Sequence, residues 1–157
     1  MAFLRPVELQ GYRLPMDPSE QRDFPARMAM LAQTAAFVET FCAAHDVGHD
    51  IALRITLIVE ELFTNVVVHG FKGESDSPIG IGLTRGADHV EVRFEDRAPP
   101  HDPTARLMSP PASLGAPLEQ RPIGGLGVHL VGQLSRSVRY VHENGMNRLW
   151  LVVACRE

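Results

Sequence analysis

Two consecutive helical stretches set the strongest limit on how this chain can fold. Residues 27–45 read RMAMLAQTAAFVETFCAAH, with apolar side chains at 28, 31, 35, 38 and 41, a spacing that predicts a helix. Gly48 is expected to close it, and Asp50 is placed to cap a second helix. That second helix carries Ile51, Ile55, Ile58, Leu62 and Val66 on one stripe and ends at Gly70. Together the two bury far more apolar surface than a lone pair can satisfy, so they need a sheet to lie on. The chain supplies one. Residues 79–84 and 89–95 read as strands around a Gly86 turn, and Val90, Val92 and Phe94 alternate with Glu91, Arg93 and Glu95, one face buried and one wet. Residues 138–142 and 148–153 flank Asn144-Gly145, a strong hairpin turn. A first strand is expected over 7–14 and a third helix over 126–134. Between 96 and 122 stand seven prolines without any period, the composition of a linker or a functional lid. No internal repeat is present. The order is β-α-α-β-β-loop-α-β-β, read as one domain over 1–157: a two-layer α/β sandwich with three main helices on one face of a mixed, mostly antiparallel sheet.

Bulk properties narrow the function classes. With 157 residues and 45% hydrophobic side chains, the chain can bury a real core. A net charge of −4 argues against direct nucleic-acid binding. Lys72 is the only lysine, against fourteen arginines, and it stands in GFKGES, which is not a phosphate-loop motif. The ordinary protein-kinase motifs are missing as well. Cys42 and Cys155 have no close spacing; a pair is the alternative, and two isolated buried thiols in a reducing cytoplasm are expected. No signal pattern and no membrane span is expected.

Three stretches carry candidate chemistry. In IVEELFTNVVVHG, Glu61 and Asn65 lie one turn apart, separated by about 40° around the helix axis. Asn is a poor interior helix residue, so something must offset it. A bridge from Asn65 to a loop beside a solvated Glu61 is the structural alternative. In FEDRAPPHDP, Asp96 ends a strand, where turn chemistry alone can explain an Asp. In PIGGLGVHLVGQL, Gly124, Gly125 and Gly127 open a helix, as a phosphate-binding N-terminus or as a hinge. In this order the set suits a nucleotide: Asp96 accepts from an exocyclic amine, Asn65 offers oxygen to Mg2+, the glycines cradle phosphate, and Glu61 orients or deprotonates a hydroxyl.

VEELFTNVVVHG, DRAPPHDP and GGLGVHLVGQLSRSVRYVHENGMNRLWL resemble the N, G1 and G2 boxes of the serine-protein-kinase anti-sigma factors, of the GHKL (histidine-kinase-type) ATPase superfamily. The G2 stretch with its Asn147-Arg148 continuation is the most specific part. The resemblance implies ATP and Mg2+ as cofactors, Glu61 as the catalytic residue and Asn65 as the metal ligand. It further implies a nucleotide site of Asn65, His69, Asp96, Ala98, Gly124, Gly125, Leu126, Gly127, Val128 and His129, under a lid at about 97–122 in which Arg106 or Arg121 reaches the γ-phosphate. The implied function is a switch. Such a protein sequesters a sigma factor, phosphorylates a serine on a STAS-domain antagonist, and is commonly a homodimer.

Three departures from the family pattern stand out. Ala98 replaces a glycine, at about 1 kcal/mol if the position needs a left-handed backbone. His101 stands where Phe is frequent. Trp150 falls where relatives place a small hydroxyl, and facing inward it would fill part of the base pocket. Ala98 and Trp150 favour the competing reading, a non-catalytic module that sequesters a partner with or without nucleotide. A histidine kinase is disfavoured because 157 residues leave no room for a phospho-accepting hairpin. A metal hydrolase built on His45 and His49 is weaker still.

Overall fold

The computed structural model describes residues 19–104 and 125–156, with side chains from 130 onward in the second stretch. Five strands, β1 (Glu20–Pro25), β2 (Pro78–Arg85), β3 (His89–Asp96), β4 (Ser137–Glu143) and β5 (Met146–Ala154), form one sheet in the order β1-β2-β3-β5-β4. Every neighbouring pair is antiparallel, so among the described residues the sheet is antiparallel throughout rather than mixed. The main helices among the described residues are α1 (Leu31–Ala44), α2 (His49–Asn65) and α3 (Gly125–Leu134). α2 packs between α1 and α3.

The strand alternation works as expected. Val90, Val92 and Phe94 on β3 and Leu149, Leu151 and Val153 on β5 are buried, in one cluster with Val38 and Phe41 of α1 and Ile55, Ile58 and Leu62 of α2. Burying each such side chain is worth about 1.5–3 kcal/mol. The expected strand over 7–14 lies outside the described residues, and the first described strand is β1. It has no apolar alternation because it is an edge strand: only Phe24 is buried, and Pro25 ends it.

Two helix boundaries differ from expectation. Asp46, with φ of 53°, takes the left-handed position that ends α1, and the Val47 N–H donates to the Cys42 carbonyl at 2.9 Å, a Schellman closure. Gly48 instead precedes α2 as its N-cap, so Asp50 lies in the first turn, where it complements the helix dipole. Beyond Asn65 the helix widens into one π-helical turn, Val66–Gly70. A Cβ on Gly70 would stand 3.0 Å from the Ala98 Cβ, so the end of α2 passes tightly under the turn after β3. Asn144 and Gly145 both have positive φ, the signature of a type I′ hairpin turn between β4 and β5.

Period two also decides Trp150. Leu149 and Leu151 face the helices, so Trp150 faces away from them, level with Arg93 on β3 and Arg139 on β4. The Arg139 guanidinium carbon lies 5.4 Å from the ring centroid, within cation–π range. Trp150 therefore does not enter a pocket on the helix side. Cys42 and Cys155 are free, and burial pushes the Cys42 thiol up to about 11.

Candidate functional site

The end of β3 and the end of α2 meet. Asp96 continues the inward series of Val90, Val92 and Phe94 and is 7% exposed. Asn65 is the last residue of α2 and is 8% exposed. Opposite Asp96 in the register stands Asn147 of β5, inward by the same parity as Leu149 and 5% exposed.

These groups form a connected network. The Asp96 Oδ1 accepts the Ala98 N–H at 3.0 Å and the Asn147 Nδ2–H at 3.0 Å, and Oδ2 has no hydrogen-bond partner among the described residues. Asn147 Nδ2 also donates to the Ala98 carbonyl at 2.9 Å, and its Oδ1 accepts from the Tyr140 hydroxyl and, at 3.3 Å, from the His101 N–H. Burial pushes the Asp96 carboxyl above its usual range, opposed by Asn147, the Ala98 N–H, His101 and His142. Ala98 is buried and is not among the positive-φ residues, so the alanine carries no left-handed strain there.

A small cavity of about 30 Å³ remains between Leu62, Asn65, Asp96, His101, Tyr140 and Asn147. A larger hollow of about 440 Å³ lies beside Asp50, Arg54 and Arg156. It is at the other end of α2, about 22 Å along the axis from Asn65 by helical rise, and shares no residue with the network.

The remaining expected site residues are placed as follows. Glu61 is one turn before Asn65 on α2, partly exposed and not part of the cavity wall. His69 is exposed in the π-helical turn. Gly125, Leu126, Gly127, Val128 and His129 form the first half of α3, so a helix does begin in the glycine-rich stretch. Gly124 and most of the expected lid, including Arg106 and Arg121, lie outside the described residues. Among the described residues no His, Cys, Asp and Glu cluster has metal-holding geometry, and no helix is long and apolar enough to cross a membrane.

Two contributors carry no role in the sequence reading, Asn147 and Tyr140, whereas the contact of Asn65 Nδ2 with His101 Nε2 at 3.2 Å is the loop bridge that stands as the structural alternative for Asn65. Asn147 and Tyr140 leave a trace, since each occupies an inward position of its strand, Asn147 in step with Leu149 and Leu151 and Tyr140 in step with Val138. A buried polar group in an apolar series is the informative kind of exception.

The donor set suits a nucleotide: a buried carboxylate with one free oxygen, a helix-end amide, and a helix that starts at glycine. Residues 24–153 match the family described as "Histidine kinase-like ATPase domain". Over 94 residues the chain is 33% identical to the serine-protein kinase RsbW of Listeria monocytogenes, covering 59% of this chain and 60% of that protein. With the RsbW of Bacillus cereus it shares 28% over 102 residues, covering 64% and 63%. The chain thus spans less than two thirds of these relatives. One chain in the crystal structure of the SiaB-SiaC complex from Pseudomonas aeruginosa has a similar fold, with a TM-score of 0.64 at 13% identity, covering 87% of this chain and 90% of that one. The RsbU and RsbW domains of a Mycobacterium tuberculosis protein give 0.58 at 16%, covering 87% and 33%.

Proposed function

Because the chain belongs to the histidine kinase-like ATPase domain family, we propose that it is an ATP- and Mg2+-dependent serine kinase that doubles as an anti-sigma factor. Its substrate is a serine on a STAS-type antagonist, its other partner is a sigma factor, and it works in the cytoplasm as a homodimer. The observation that carries the reading is the meeting of Asp96 and Asn65 at one cleft, from positions far apart in the chain.

When bound, Mg·ATP supplies a transferable γ-phosphoryl group. The chain's own residues do the rest. Asp96 Oδ2 accepts from the exocyclic amine of adenine, held in place because Oδ1 is fixed by Ala98 and Asn147. Asn65 offers its amide oxygen to the cation, a hard oxygen donor suited to Mg2+. Backbone N–H groups at the start of α3 favour phosphate. Glu61 takes the proton of the serine hydroxyl. A phosphate of about −2 charge then loosens the antagonist by repulsion and desolvation.

The competing reading is a partner-sequestering module without catalysis. Two of its arguments weaken, since Trp150 faces away from the helices and Ala98 is unstrained. The closed cleft still favours it. Mixing the protein with ATP, Mg2+ and the STAS-domain protein separates the two: a phosphoserine found by mass spectrometry supports the kinase, and its absence supports the module. In the same frame Asn65→Ala is expected to weaken Mg·ATP at least tenfold while unfolding free energy drops by only about 1 kcal/mol, the loss of one hydrogen bond. Unchanged affinity by calorimetry would remove Asn65 as the metal ligand.

A further inference from the structure

The cleft that gathers Asn65, Asp96 and Asn147 is filled by a turn of the chain itself. The His101 N–H donates to Tyr140 Oη at 3.1 Å and to Asn147 Oδ1 at 3.3 Å. Its ring Nε2 lies 3.2 Å from Asn65 Nδ2. Two residues on, Pro103 is buried against the same cavity. Asp102 stiffens the turn by accepting the Thr104 N–H at 2.9 Å and its hydroxyl at 2.6 Å. What remains is about 30 Å³. That is room for a water, whereas a small-molecule site measures roughly 300–1,000 Å³.

We infer that residues 99–104 are an internal latch: His101 holds the amide of Asn65, and nucleotide enters only when this turn swings out. The inference rests on the nucleotide reading of the cleft. Its two ends are both ligand-facing. The ring engages the amide assigned to the cation, and the backbone N–H engages the same Asn147 that orients Asp96. Closure and ligand binding therefore compete for the same space, since the turn leaves only about 30 Å³ beside Asn65 and Asp96. Apparent affinity equals the intrinsic affinity scaled by the fraction of molecules with the turn out.

The direction of the effect is the test, because a residue that merely contacted nucleotide would act the other way. Mg·ATP is titrated calorimetrically into the full chain, into His101→Ala and into His101→Phe, which keeps the ring volume without the bond to Asn65. Hydrogen exchange over residues 99–104 is followed without nucleotide. Faster exchange and a Kd lowered roughly tenfold in both variants is expected, the scale of one lost hydrogen bond. A Kd equal to or above that of the unaltered chain overturns the latch. If the alanine variant unfolds, the phenylalanine variant decides. Failure of all three proteins to bind Mg·ATP, with exchange still faster in the variants, sinks the nucleotide reading and the latch with it.

Discussion

Glu61→Gln is expected to lower serine phosphorylation by about 10²–10⁴-fold, the range that a general base contributes. Mg·ATP affinity and thermal stability should stay close to those of the unaltered chain. Glu61 is partly exposed on α2 and forms no part of the cavity wall, so the amide creates no void and orphans no buried partner. Single-turnover transfer to the STAS-domain protein, measured beside a calorimetric Kd, separates chemistry from binding. Transfer at the full rate would remove Glu61 from its role, and a lost Kd would reassign it to binding.

Asp96→Asn should split binding from stability in the opposite way. The asparagine Oδ1 can still accept from Ala98 and Asn147, but an N–H₂ then stands where Oδ2 would meet the adenine amine. Two donors facing each other in a buried site are expected to weaken ATP by about 10²-fold, in line with the penalty for an unpaired buried polar group. Stability should hold or rise. Burial lifts the folded pKa of Asp96 above its ordinary 3.8, so the folded state binds this proton more tightly than the unfolded chain does. The favourable contribution of that carboxyl is complete below the unfolded value and is lost as pH rises through the folded one. At neutral pH the ionised group therefore opposes folding, and the neutral amide relieves it. Melting curves at pH 7 should place the nucleotide-free variant level with or above the unaltered chain, and the gap should close as pH falls toward 3.8. ATP affinity within threefold of the unaltered value would dismiss Asp96 as the base reader.

Most of the architecture can be read from periodicity. The stripe Ile51, Ile55, Ile58, Leu62, Val66 gives α2, the alternation of 90–95 gives β3, and Asn144-Gly145 gives the hairpin, since each is a local signal. The polar edge strand β1 has no such signal, and the left-handed Asp46 and the π-helical turn come from packing rather than residue type. The site divides in the same way. Asn65 and Asp96 are visible as polar residues at the ends of apolar elements. Asn147 lies 51 residues from Asp96, and only the register of β3 against β5 makes them neighbours. A bridge from Asn65 to a loop is legible as the alternative for a polar residue inside a helix, but no spacing rule names His101 as its partner.

The placement of Trp150 has a spectroscopic consequence. It is the chain's one tryptophan, it lies under Arg139, and the whole thickness of the sheet separates it from Asn65. Its emission should stay constant when ATP is added and respond when another macromolecule docks on the face of the sheet turned away from the helices. The molecule thus carries its own optical probe, one that distinguishes docking on that side from events in the cleft without any label.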